Sequence, residues 1–122
     1  MSIEENKALA HRYFDERWNH HNAAVIDELL GEGMSPEDEK AHLEATHLAF
    51  GNVEFTVDDL VAEDDQVAVR WTAAGNHQGE LMGFTPTGER ITFHGLAMLR
   101  IVDGKIVSFG GFSDLLETLS GS

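Results

Sequence analysis

VAVRWTAAGNHQGELMGFTPTGERITFHGLAMLRI, residues Val67 to Ile101, decides the fold. β-Branched and aromatic residues alternate with period two at both of its ends: Val67, Val69 and Trp71 on entry, Ile91, Phe93, Leu99 and Ile101 on exit. Gly79, Gly83, Pro86 and Gly88 punctuate the connection between them, so the stretch predicts a long antiparallel hairpin, the spine of a sheet. His77 continues the face that carries Val67, Val69, Trp71, Ala73 and Gly75, the face expected to lie beneath helices.

Working outward, Val53, Phe55 and Val57 alternate as a preceding strand that runs to the acidic turn Glu63-Asp64-Asp65. On the other side Asp103-Gly104 makes a tight turn between Ile101-Val102 and Ile106-Val107, and a fourth strand returns through Phe112. The chain before Gly51-Asn52 reads as helical. Ser2 and Glu5 form a capping box for a first helix in which Ile3, Ala10, Phe14 and Trp18 recur near helical period, with Leu9 and Tyr13 on one shoulder; it ends near Asn19-His20-His21. Asn22 caps a shorter second helix with the stripe Val25, Ile26, Leu29 and Leu30, and Gly31 is expected as its left-handed cap. Ser35-Pro36-Glu37-Asp38 starts a third, with a capping hydroxyl, proline at the first helical position and acids at the positive end of the dipole.

Two faces of this third helix have a claim on the core. Ala41, Ala45, Leu48 and Ala49 form one; His42, Leu43, Thr46, His47 and Phe50 form the other, which, turned inward, would roof a cavity with polar groups. Ser113 to Glu117 starts a short terminal helix. Three helices, a four-stranded antiparallel meander and a short C-terminal helix make an α+β pattern. A sheet that curls over a helical hairpin leaves a cone with an open mouth, a shape that holds small ligands.

A chain of 122 residues with 42% apolar composition is one domain, residues 1–122, with a real hydrophobic core. Its 22 acidic against 8 basic residues give a formal net charge of -14, which repels phosphate backbones and anionic headgroups and argues against nucleic-acid and membrane partners. The absence of cysteine excludes disulfides, thiolate metal sites and thiol nucleophiles. No apolar run approaches the ~20 residues of a membrane span, and the N-terminus is acidic where a signal peptide would be basic, so a cytoplasmic protein is expected.

The residues that could carry chemistry are few. Asp114 follows the last strand and the pair Gly110-Gly111, where a ligand could approach; it reads either as a carboxylate whose pKa apolar neighbours raise, or, with Glu117, as a capping box. His77 reads as an acid, base or hydrogen-bond donor near neutral pH, or as a turn histidine bonded to a carbonyl. His94, out of phase with Phe93, is placed on the sheet's outer face. His42 and His47 are not at one-face helical spacing and His20-His21 are adjacent, so no metal site is expected. Phe14, Trp18, Trp71 and Phe93 could wall a planar apolar ligand or form plain core. With Tyr13, His47 and Phe50 they make the candidate pocket. No phosphate loop, serine elbow or dinucleotide fingerprint is present. Leu96 and Met98, flanked by Arg70, Thr72, His94 and Arg100 on the outer sheet face, form an apolar strip that predicts a homodimer.

Several strings together resemble one family: Glu5-Asn6-Lys7 through Phe14 and Trp18-Asn19, Val67-Ala68-Val69-Arg70-Trp71-Thr72, His77-Gln78-Gly79-Glu80 with Gly83 and Pro86-Thr87-Gly88, and Arg100-Ile101 through Asp103-Gly104-Lys105-Ile106-Val107. They resemble the SnoaL-like polyketide cyclases, or ester cyclases, of the NTF2-like superfamily. The resemblance implies a cone-shaped, commonly dimeric α+β fold, a small hydrophobic carbonyl-containing ligand, and a cofactor-free intramolecular aldol cyclisation with an aspartate near the chain end as general acid/base. Asp114 falls on that position, and His77 matches a strand-end histidine, here expected to polarise the substrate carbonyl. Gly110, Gly111 and Ser113 stand where the family is aromatic-rich, which should reshape the pocket. Other readings remain: a ketosteroid-isomerase-like enzyme would use Tyr13 as donor and Asp38 as base, although Asp38 looks committed to a helix first turn; a limonene-epoxide-hydrolase-like site would need an acid beside Arg100; and a non-catalytic ligand-binding module could reuse the cone.

Overall fold

Ser2 opens the first helix as its spacing predicts. Its hydroxyl accepts from the Glu5 N–H at 3.1 Å while the Glu5 carboxylate takes the Ser2 N–H at 3.2 Å, both halves of the capping box. The computed structural model describes residues 2–120. Helix α1 (Ile3–Phe14) runs directly into one π-helical turn (Asp15–Asn19). There follow α2 (Ala24–Leu29), α3 (Pro36–Ala49), strands β1 (Phe50–Glu63), β2 (Gln66–His77), β3 (Arg90–Val102) and β4 (Lys105–Ser113), and α4 (Leu115–Ser120).

The four strands form one antiparallel meander in the order β1-β2-β3-β4. Val67 pairs with Leu99 and Ala73 with Phe93, so the two apolar stripes of the opening stretch share the face under the helices. Breaks in register between Gly51 and Glu54, between Val57 and Asp59, and at Arg100/Ile101 are bulge-type irregularities of the kind that bend a sheet, and this one curves over the helices. Val25, Ile26, Leu43, Val67, Val69 and Leu99 are almost wholly buried between the layers. Each contributes about 1.5–3 kcal/mol of hydrophobic transfer.

Helix α3 settles which of its faces is inward. Leu43, Thr46 and Ala49 are buried while Leu48 is 73% exposed, so the polar face roofs the interior. Ser35 caps this helix through the Asp38 N–H at 3.2 Å. Gly31 corrects an expectation: the left-handed residue in this connection is Gly33, at φ +91°. Gly31 instead allows the chain leaving α2 to press against β4, donating to the Ile106 carbonyl at 2.8 Å, where a Cβ would fall 2.8 Å from that of Lys105. On the outer sheet face Leu96, Met98 and Phe112 are left exposed.

Candidate functional site

The curled sheet and its helical roof leave a cavity of about 410 Å³. Phe14, Trp18, Phe50, Phe55, Trp71 and Phe93 make its aromatic wall. Phe55 stacks on Phe14, Trp18 and Trp71 at centroid distances of 5.4, 4.9 and 5.2 Å, and Trp71 meets Phe93 edge-on at 5.8 Å. Gly95, which pairs with Trp71, makes this possible: a Cβ there would lie 2.2 Å from the indole ring. On the β4 side Gly111 leaves a gap between the side chains of Phe109 and Ser113.

One side of the cavity is polar. The π-helical turn presents the adjacent Arg17 and Trp18 together to the interior, a placement for which such turns are often used. Arg17, buried to 6% exposure, donates through Nη1 to Tyr13 Oη at 2.7 Å and to Glu39 Oε2 at 2.6 Å, and through Nη2 to His42 Nδ1 at 2.7 Å. A guanidinium can only donate, so Nδ1 of His42 is an acceptor and the ring is neutral with its proton on Nε2. Burial and the Arg17 charge, against a smaller opposing effect of Glu39, hold His42 below its usual 6.5, in agreement with that tautomer. Tyr13 is pushed above its ordinary value mainly by burial.

Phe14, Trp18, Phe50, Trp71 and Phe93 stand around the cavity as expected. Tyr13 and His47 do not. Tyr13 lies buried behind Arg17, and His47 is spent on structure, its Nδ1 and Nε2 each 3.0 Å from the carbonyls of Leu43 and Trp18 and its ring stacked 4.0 Å from that of His21. His77 is buried, 5.9 Å ring to ring from Phe50, and its Nε2 has no hydrogen-bond partner among the described residues.

Asp114 and His77 are not brought together. His77 donates its N–H to Glu89 and Asp114 donates its own to His94, about five residues further along β3, or roughly 16 Å at ~3.3 Å per residue. The inner face of β4 ends at Ser113, opposite Gly95, and Asp114 turns to the outer side. There its carboxylate accepts the His94 N–H at 2.6 Å and faces His94 Nδ1 at 3.2 Å, in a shallow groove with Arg70 and Glu117. Neither the cap nor the raised pKa expected of it is formed. The His94 N–H, and then the His94 ring, hold the carboxyl below its usual 3.8. A depressed carboxyl stabilises the fold above its unfolded value and loses that contribution as pH falls through the folded one. Asp114→Asn is therefore expected to be less stable than the parent at pH 7 and to converge with it as the pH falls through the folded carboxyl's depressed pKa, as measured by urea unfolding at several pH values. An unchanged gap across that range would contradict the assignment.

Two functional candidates escaped the sequence reading. Arg17 extends the buried stripe Asn6, Ala10 and Tyr13 at helical spacing, and a cation on such a stripe is the signal that could have found it. Glu39 lies one helical turn before His42 on the roof of the cavity.

The model of the SnoaL-like polyketide cyclase family matches residues 4–120. Among solved structures, the chain is similar to AclR from Streptomyces galilaeus, a proposed hydroxylase, with 32% identity, a TM-score of 0.86, and coverage of 99% of this chain and 84% of that one. It is also similar to IdmH from Streptomyces antibioticus, a proposed polyketide cyclase, at 25% identity and TM-score 0.82 over 94% of this chain and 96% of that one. A proposed SnoaL-like polyketide cyclase from Jannaschia sp. CCS1 shares the fold at 22% identity and TM-score 0.87 over 100% and 96% of the two chains. No curated protein matches the sequence.

Proposed function

Since the chain belongs to the SnoaL-like polyketide cyclase family, we propose that it is an enzyme that rearranges a small apolar carbonyl compound by moving protons inside the aromatic cone. The observation that carries this reading is an aromatic cavity of about 410 Å³ with one polar side, built from Arg17, Glu39 and His42. Such a site orients a planar ring by its faces and its oxygen by hydrogen bonds. The chemistry is that of a carbon acid. A base takes the proton α to one carbonyl and the C–H electron pair passes into an enolate. The enolate carbon bonds to a second carbonyl of the same molecule, and the alkoxide so formed takes up the proton.

The test is turnover of aromatic poly-β-carbonyl compounds by the full chain, followed by mass spectrometry with dioxygen monitored. Ring closure without oxygen uptake is expected. Oxygen uptake with a hydroxylated product would move the chain toward the activity proposed for AclR. Ligand binding without any turnover would leave it a binding module. The resemblance implies proton transfer at Asp114 with His77 at the carbonyl, and the Asp114 groove adjoins the cavity at Leu96, Phe112 and Ser113; Asp114→Asn and His77→Gln therefore belong in the same assay.

We further propose that two copies associate through the exposed strip of Leu96, Met98 and Phe112. Light scattering is expected to give a dimer, and Met98→Glu a monomer at the same concentration; a monomeric parent would dismiss the interface. Among the described residues no helix is long and apolar enough to cross a membrane. We propose a cytoplasmic enzyme acting on a diffusible substrate.

A further inference from the structure

We propose that Glu39 and His42 are the proton-handling pair of this cavity, Glu39 taking the α-proton and the His42 Nε2–H holding the developing oxyanion, with Arg17 as the residue that positions both. The inference rests on reading the cavity as the place of carbonyl chemistry. Three observations carry it.

The first is that Glu39 is the one carboxylate among the described residues that line the cavity, whereas Asp114 opens onto the outer groove. Its Oε2 is taken by Arg17 at 2.6 Å, and Oε1 has no hydrogen-bond partner among the described residues. An oxygen so placed, on a carboxylate held still by its other oxygen, is what proton abstraction from carbon requires.

The second is the tautomer of His42. Nδ1 is consumed by a donor that cannot accept, so Nε2 must carry the proton, and no protein acceptor among the described residues takes it. The ring thus offers one fixed N–H at the edge of an aromatic, low-dielectric space, the arrangement that stabilises charge where it develops. The third is spacing: Glu39 and His42 are three residues apart on α3, one turn of helix, and both line the cavity at its rim, so base and donor face the same ligand.

The cycle balances without an outside reagent. Glu39 Oε1 gains the proton, the C–H pair becomes the enolate, and the Nε2–H hydrogen-bonds to its oxygen without leaving nitrogen. After the carbon–carbon bond forms, the new alkoxide takes the proton back from the Glu39 carboxylic acid.

Two probes separate this from the reading it rests on. Naphthalene, which has no oxygen, reports the cavity alone by quenching of Trp18 and Trp71 fluorescence. β-Tetralone, a bicyclic ketone, reports proton transfer through exchange of its α-hydrogens in heavy water, followed by NMR. The full chain is expected to bind naphthalene and to accelerate the exchange above the buffer rate. Glu39→Gln should keep naphthalene binding and lose the acceleration by about 100-fold or more, and His42→Leu should lose a similar factor. His42→Gln, which restores an N–H donor, should recover part of it. If naphthalene does not bind, the cavity reading itself fails. If naphthalene binds but exchange is not accelerated, or survives in Glu39→Gln, the pair assigned here is wrong; loss in Asp114→Asn with retention in Glu39→Gln would give the base role to Asp114. Nitrogen NMR of the unaltered protein checks the donor independently: His42 protonated on Nε2 and bare on Nδ1 is expected at pH 7, and the opposite tautomer or an imidazolium would overturn the proposal.

Discussion

Phe55→Ala is expected to remove about 3 kcal/mol of stability, the lower end of the range for truncating a buried phenylalanine. The ring is 6% exposed and lies between Phe14 on one side and Trp18 and Trp71 on the others, so its loss strips stacking from three aromatic partners at once. The low end applies because Phe55 borders a cavity that is already there, and part of its surface has no packing to lose. The void cannot close easily. The backbone of Phe55 is held on both sides by Asn19, whose side chain accepts its N–H at 2.7 Å and donates to its carbonyl at 2.9 Å, and those bonds do not depend on the ring. The melting temperature should fall by roughly 10 °C. The enlarged cavity should still bind naphthalene and should bind a three-ring hydrocarbon such as anthracene more tightly than the parent does. Thermal unfolding and fluorescence titration measure both; a variant within about 1 kcal/mol of the parent would mean that the stack does not hold the cone open.

That stack shows how far the sequence could be read. The period-two stripes on either side of the 78–89 connection, the Asp103-Gly104 turn, the capping box at Ser2 and the capping hydroxyl of Ser35 are local signals, and strand order, inner face and the starts of α1 and α3 follow from them; α2 starts at Ala24 behind Ala23, not on the Asn22 cap that the sequence predicts. The direction of α3 was not local. Its two faces carry similar apolar content, and the arginine that binds Glu39 and His42 lies 22 residues before Glu39, extending its fork from another helical segment. Arg17 itself follows Asp15 and Glu16 and reads as solvated unless its place on the stripe of Asn6, Ala10 and Tyr13 is noticed; in the fold it is buried beside Tyr13 and Glu39. The role of His47 is hidden for the same reason: the Trp18 carbonyl that it meets lies on the π-helical turn, which apolar periodicity does not announce. The outward turn of Asp114, by contrast, follows from strand alternation once Gly95 is paired with Ser113, because a residue after an inward one faces out.

Arg17→Met should have the largest effect on the site. Methionine replaces the stem of the arginine and none of its donors. Tyr13 is 1% exposed and Arg17 is the hydrogen-bond partner of its hydroxyl, so the loss leaves a buried polar group unmatched at a cost of about 1–3 kcal/mol. Glu39 is a quarter exposed and can turn to water, which keeps the total below that of breaking a fully buried ion pair. Tyr13→Phe in the Arg17→Met background should therefore return part of the lost stability, since deleting both partners is cheaper than deleting one. Function should not return with it. Without the guanidinium, nothing forces the His42 proton onto Nε2, and Glu39 loses the bond that holds its carboxylate still. β-Tetralone exchange should drop by about 100-fold in both the single and the double variant. The charged groups that face His42 are Arg17 and Glu39, and with the cation gone and the anion left His42 should protonate at higher pH than in the parent, as followed by NMR of its ring. Urea unfolding, the exchange rate and the His42 titration together make the test. If Arg17→Met is as stable as the parent and still exchanges β-tetralone at the parent rate, Arg17 neither supports Tyr13 nor sets the chemistry of the cavity.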